Sequence, residues 1–295
     1  MQIIPLAADS LGTRSMATFV KTADVAILID PGVAIAPNRY GKPPHPIEQK
    51  LMMEHWHAIV SHAKLADILI VTHYHYDHHN PEAPEIYQGK IVYLKDPHHK
   101  INKSQIARAK YFIGKLGDAP KSIEFSDGRE FKHGHTTIKF SAALPHGADE
   151  KLGCVTAVSI SDGKHKFVHT SDVEGATVAS QENFIIDEDP EICLMDGPMT
   201  YIYGMHTRAL AKIINGTKKM HTLIVDHHFL RDLKWKEKMA EAIAAAEVRG
   251  VKLVCVAEFL GEKPNLLEPI RKKLFLEHPV AQPGADFHVP WKVTA

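Results

Sequence analysis

Short apolar runs recur along the chain, and most of them stop at a polar turn. Residues 2–6 and 16–20 read as strands, with Gly12 and Ser15 between them. Residues 25–29 form an apolar run that ends in Asp30-Pro31-Gly32. Further strand-like runs lie at 68–71, 91–94, 122–125, 129–132, 136–144, 154–160, 166–169, 191–195, 223–225 and 251–256. Helical spacing separates several of them. It covers 47–63, with apolar residues at 47, 51, 52, 56, 59 and 60, and then 103–116 and 207–214. Asp232 is placed to cap a helix running to Arg249 and stopped by Gly250. Asn265 with Glu268 fits a capping box for a last helix to about Leu276. Strands alternating with helices predict an α/β fold. No repeat or linker interrupts residues 1–295, so a single domain is expected, with a Pro-rich tail from His278.

The residues just after the apolar runs are chemically biased. The run at 68–71 leads directly into Thr72-His73-Tyr74-His75-Tyr76-Asp77-His78-His79-Asn80. Imidazole and carboxylate suit a borderline divalent metal. Alternation at 73, 75 and 77 projects those side chains to one side of an extended segment. Asp77 and His78 are adjacent and must diverge, which suits two neighbouring metals better than one. The other strand ends add Leu144-Pro145-His146-Gly147, Thr170-Ser171-Asp172 and Asp226-His227-His228. The last repeats the strand–X–His arrangement of Val71-Thr72-His73 and selects His227, with His228 as the alternative. A loop from Asp196 to Gly204 holds Gly197-Pro198 and two tyrosines, Tyr201 and Tyr203, which makes it a candidate substrate rim.

The H-x-H-x-D-H run, the leading Thr72 and the Asp-Pro-Gly strand end resemble the metallo-β-lactamase superfamily. Within it the chain looks closest to a little-characterised, mainly archaeal group of predicted hydrolases. The resemblance covers roughly residues 1–260 and implies a four-layer αβ/βα sandwich. It implies that His73, His75 and His146 hold one metal, that Asp77, His78 and His227 hold a second, and that Asp172 bridges them. Asp30 would order the loops beneath. The cofactors so implied are two divalent ions, zinc first, with iron or manganese as alternatives. Asn80-Pro81 stands where many relatives carry glycine. Diiron redox relatives carry glutamate at the position of His75, which argues against redox chemistry here.

Composition narrows the reading further. Lys+Arg and Asp+Glu are both 35, giving no general attraction to nucleic acid or an anionic membrane. The one basic stretch, 98–121, could steer an anionic substrate, although a solvated helix face accounts for it more simply. Cys154, Cys193 and Cys255 lie in separate apolar runs and read as reduced core residues, not as a disulfide framework. Neither a signal peptide nor a membrane span is recognisable, so a cytoplasmic protein is expected. Together these features predict a dinuclear metal-dependent hydrolase whose bridging hydroxide cleaves an ester-type bond in a small cytosolic substrate, whether carboxylic ester, lactone or thioester. Asp77 and Asp172 take the catalytic roles, with Asp77 or a histidine carrying the leaving proton. The alternatives are a phosphodiesterase or RNase and, in a different class, a non-catalytic metal-binding protein.

Overall fold

The computed structural model describes residues 1–202 and 207–280. The first six strands are β1 (Gln2–Pro5), β2 (Thr18–Lys21), β3 (Ala26–Ile29), β4 (Ile68–Val71), β5 (Ile91–Leu94) and β6 (Ser122–Phe125), paired in that order in one sheet. The first three are antiparallel and β3 to β6 are parallel. Helix α1 (Pro46–Leu65) crosses from β3 to β4, and α2 (Lys103–Leu116) from β5 to β6.

The second sheet contains β7 (Glu130–His133) and β8 (Thr136–Phe140), followed after a small separate pair, β9 (Leu144–Pro145) and β10 (Cys154–Val155), by five more strands. These are β11 (Val158–Ser161), β12 (Lys166–His169), β13 (Ile192–Asp196), β14 (Thr222–Asp226) and β15 (Lys252–Val254). The order across this sheet is β15-β14-β13-β12-β11-β8-β7, parallel from β12 to β15. Helices α3 (Ala179–Glu188), α4 (Arg208–Gly216) and α5 (Ala240–Arg249) accompany its parallel half, and α6 (Val256–Phe259) and α7 (Arg271–Glu277) complete the chain.

The apolar runs of the inner parallel strands are continuous because both faces of those strands are covered. On β4, Ile68 and Ile70 pack with Phe140, Ile160, Phe167 and Leu194 of the other sheet. Leu69 and Val71 point the opposite way, among Met52 and Ile59 of α1 and Phe112 of α2. On β14, Ile224 joins the inter-sheet core while Leu223 and Val225 pack with Leu210 and Ile213 of α4. Two-residue alternation thus sends side chains into three cores separating four layers, αβ/βα.

Several expected elements differ, and in each case a tertiary partner decides. The helix expected over 232–249 begins at Ala240. Asp232 instead accepts a hydrogen bond from Thr200 Oγ1, and Lys236–Met239 forms a 3-10 turn. Glu268 caps nothing, because its carboxylate is held by Arg14, and the last helix starts at Arg271. The run at 154–160 is broken where Thr156 N donates to Thr72 O. That bond ties the second sheet to the histidine loop. The run at 251–256 ends as a strand at Val254, and Cys255 caps α6. Helix α3 has no counterpart among the expected elements.

Candidate metal centre

The strands that end in metal-binding residue types all deliver them to one edge of the sandwich. After β4 the chain places His73, His75, Asp77 and His78 around Asp172, which follows β12. His146 arrives after β9 and His227 after β14. Two groups of donor atoms result: His73, His75, His146 and Asp172 in one, Asp77, His78 and His227 in the other, each group within 4.8 Å. Asp172 touches both. Its Oδ2 lies 3.4 Å from His73 Nε2 and 3.1 Å from His146 Nε2. Its Oδ1 lies 3.0 Å from His78 Nε2 and 3.5 Å from His227 Nε2. His75 Nδ1 stands 3.2 Å from His146 Nε2, and Asp77 Oδ2 stands 3.7 Å from His227 Nε2.

His228 also comes near Asp172 and His227, but it is in no group with Asp77 or His78. Its Nδ1 is taken by Asp196, at 3.0 Å to Oδ2. The structure therefore brings His227, and not His228, to the Asp77–His78 side.

A carboxylate or hydroxyl hydrogen-bonded behind His78, His227 and His73 fixes each ring, and the Glu174 carboxylate stands near His146 without a hydrogen bond. Asp30 Oδ2 accepts from His78 Nδ1 at 2.8 Å, and the same carboxylate accepts from Thr72 N and Thr72 Oγ1. Asp9 Oδ2 lies 2.8 Å from His227 Nδ1. Glu174 Oε1 lies 3.4 Å from His146 Nδ1, and Ser171 Oγ lies 3.2 Å from His73 Nδ1. Such partners fix the ring orientation and tautomer of a metal-binding histidine. Three of the loops need unusual backbone: Asp30, Ser171 and His227 have φ of 49°, 58° and 62°. Left-handed geometry costs a non-glycine residue about 1–2 kcal/mol, and strain of this kind collects at functional loops. Gly32 is required for a different reason. A Cβ there would lie 2.2 Å from His79 N and 2.5 Å from the His78 carbonyl carbon.

The carboxylates and histidines of the centre shift one another's ionisation. Burial opposes charge on His78, yet Asp172 and Asp30 outweigh it and hold the imidazolium well above its usual range. Burial is likewise outweighed at His146, raised to about 9 by Asp172 and Glu174, and at His227, raised to about 10 by Asp172 and Asp9. His73 goes the other way, held well below its ordinary value by burial and then by His78. Asp172 is fully desolvated, and His78 and His227 still keep its carboxyl far down. Meanwhile His73 Nε2, His78 Nε2 and Asp172 Oδ1 are buried with no hydrogen-bond partner. Buried polar atoms are rarely left in that state. Nitrogen and carboxylate donors converging here, three of their inward atoms without a partner among the described residues, fit divalent metal binding.

A cavity of about 400 Å³ opens onto the centre. His75, Asp77, His146, Asp172 and His228 form its floor, and Arg14, Arg108 and Arg231 are in its walls. The sequence alone does not separate a substrate contact from a surface charge at Arg14, and it does not single out Asp9, Glu174 or Arg231. Glu174 carried one signal, standing two residues after Asp172. Asp9 and Arg231 meet their partners only in the fold. Tyr201 is partly buried, with Arg39 Cζ 5.3 Å from its ring centre, and Tyr203 lies outside the described residues. His169, three residues before Asp172, is a core residue bonded to Met16 O. The three cysteines are buried and unpaired. Among the described residues no helix is long and apolar enough to cross a membrane.

No family model matches the chain. It is 44% identical over 290 residues to a UPF0282 protein of Korarchaeum cryptofilum, covering 95% of this chain and 96% of that one. A UPF0282 protein of Methanocaldococcus jannaschii is 44% identical over 291 residues, covering 93% and 96%. Among solved structures, the metallo-β-lactamase fold protein YhfI of Bacillus subtilis superposes with a TM-score of 0.56 at 16% identity, covering 89% of this chain and 96% of that one. Yeast PDE1 gives 0.52 at 13% identity over 86% and 96%, and the isothiocyanate hydrolase from Delia radicum gut bacteria gives 0.51 at 16% over 82% and 94%. The fold is that of the metallo-β-lactamases.

Proposed function

The chain belongs to the archaeal UPF0282 family, and from that premise and the geometry of its centre we propose that it is a dinuclear metal-dependent hydrolase acting on an ester-type bond. One observation carries the reading: the two oxygens of Asp172 face two separate donor groups, and the inward-facing His73 Nε2, His78 Nε2 and Asp172 Oδ1 are buried without a hydrogen-bond partner among the described residues. His73, His75, His146 and Asp172 Oδ2 would hold one cation, and Asp77, His78, His227 and Asp172 Oδ1 the other. Bound there, a pair of divalent ions, zinc first, with iron or manganese as alternatives, would supply Lewis acidity and bring the pKa of a water toward neutrality.

The protein's own groups do the rest. Asp30, Asp9 and Ser171 hold His78, His227 and His73 in place, so little reorganisation is needed as charge develops. Asp77, 17% exposed at its side chain and facing the cavity, is placed to carry a proton between the centre and a leaving group. His228, fixed at Nδ1 by Asp196 and kept neutral by burial and by Arg231, turns its ring to the cavity and can accept a hydrogen bond from a substrate. The apolar wall formed by Ala34, Ile35, Pro37 and Leu152 limits water around the bond to be cut. Three buried free thiols support a cytosolic setting.

A phosphodiesterase reading stands second. It is favoured by Arg108, which brings the basic stretch of the sequence to the cavity wall. The test is hydrolysis of a generic carboxylic ester and a generic phosphodiester by metal-reconstituted protein, with His75→Ala as control. Ester turnover lost in the variant supports the proposal. Phosphodiester turnover alone favours the second reading. Two bound metals with neither activity would favour a non-catalytic metal-binding protein.

A further inference from the structure

Three arginines in the wall of one cavity is a costly arrangement unless something neutralises them, and two of the three are already neutralised. Arg14 makes a two-point ion pair with Glu268, Nε to Oε2 at 2.6 Å and Nη2 to Oε1 at 2.7 Å. Arg231 donates from Nε to Asp9 Oδ1 at 2.8 Å, and its Nη2 reaches 3.4 Å from His227 Nε2. Both are held rigidly by carboxylates. Arg108 differs: among the described residues it has no hydrogen bond and no ion pair. Its Cζ lies 4.7 Å from the ring centre of Tyr76. Tyr76 is itself fixed between His75 and Asp77. A guanidinium stacked in this way keeps its planar fork of donors oriented and unspent, which is the geometry that matches a carboxylate or phosphate.

The neighbouring cations do not share that position. Lys100 is paired with Glu150 and Lys115 with Glu82. Lys110 and Lys115 line a separate open groove with Ala107, Tyr111 and Gly114. Of the basic stretch, Arg108 is the residue that reaches the cavity. One free fork beside a half-open cavity of about 400 Å³ suits a small molecule with a single extra charge.

We propose that the substrate carries a carboxylate or phosphate group apart from the bond that is cut, and that the Arg108 guanidinium binds it while the reacting end sits at the Asp172 centre. This rests on the hydrolase reading above and names the substrate class for that site.

A pair of non-hydrolysable probes tests it. Propylphosphonate has one anionic end, for the centre; 3-phosphonopropionate adds a carboxylate at the other. Their affinities for zinc-reconstituted protein are measured by calorimetry, with zinc content determined on the same samples. The two-ended probe is expected to bind at least tenfold tighter to the wild type. Arg108→Gln should close that gap, and Arg108→Lys, which keeps the charge and loses the fork, should leave part of it. Equal affinities in wild type, a gap that survives in Arg108→Gln, or no binding of either probe by zinc-loaded protein overturns the proposal and leaves the hydrolase reading standing. Wild type that holds no zinc overturns the hydrolase reading, and this proposal with it.

Discussion

His227 Nδ1 lies 2.8 Å from Asp9 Oδ2, although the two residues are 218 positions apart in the chain. The other oxygen of Asp9 accepts from Arg231 Nε at 2.8 Å. One buried carboxylate at the beginning of the chain therefore orients both a histidine of the centre and an arginine of the cavity wall. Asp9→Asn removes the charge and keeps the shape. Affinity for the more weakly held metal should fall about 10- to 100-fold, the usual effect of losing such a partner. Chelator competition measures it; an unchanged affinity would mean that the contact is structural only.

Gly32 is the point at which the Asp30 loop lies against the backbone of His78 and His79. The atoms that a Cβ would meet, at 2.2 and 2.5 Å, are backbone and cannot rotate away. Gly32→Ala should destabilise the protein by about 2–4 kcal/mol, the range of overpacking and backbone displacement. Urea denaturation gives the number. A loss below about 0.5 kcal/mol, the scale of ordinary surface changes, would show that the loops do not meet as described.

The Arg14–Glu268 pair makes stability depend on acid pH. Burial opposes the Glu268 carboxylate, but Arg14 first, then Arg231 and Arg39, lower its pKa from the ordinary 4.5 to about 2. A depressed value stabilises the folded state above pH 4.5, and that contribution is lost as pH falls toward 2. Glu268→Gln should cost about 3 kcal/mol at pH 7. The difference from wild type should shrink steadily between pH 4.5 and pH 2. Denaturant titrations at several pH values test this, and a gap independent of pH would contradict it.

The adjacent histidines should separate cleanly. His227→Ala removes a donor facing both Asp77 and Asp172 and should lower the metal content. His228→Ala should leave the metals in place and act on turnover, since His228 is bonded to Asp196 and faces the cavity. Metal analysis of the two variants distinguishes them. Equal metal loss from both would make His228 part of the binding set.

Much of the centre was legible because the donors are local. A metal-binding residue type within three positions of the end of an apolar run is visible without knowing the fold, and His73, Asp172 and His227 all stand there. The structure brings these residues together with His75, Asp77, His78 and His146. Three continuous strands, 68–71, 91–94 and 166–169, were equally plain, since both of their faces are covered. The residues that escaped depend on distant partners. Asp9 follows two alanines with nothing to mark it, and Arg231 looks like any charge after a strand end. Asp232 and Glu268 have the right types for helix caps, and tertiary partners, Thr200 and Arg14, took them instead. Propensity and capping signals yield to such bonds when the partner is buried or fixed.

The central claim is that Asp172 joins two cation sites. Metal content per chain, measured by elemental analysis after reconstitution and removal of excess metal, tests it in wild type and Asp172→Ala. Two ions per wild-type chain, with clear loss from the variant and a far-ultraviolet spectrum unchanged, is the predicted result. One ion or none in the wild type, or two ions retained by Asp172→Ala, would contradict it.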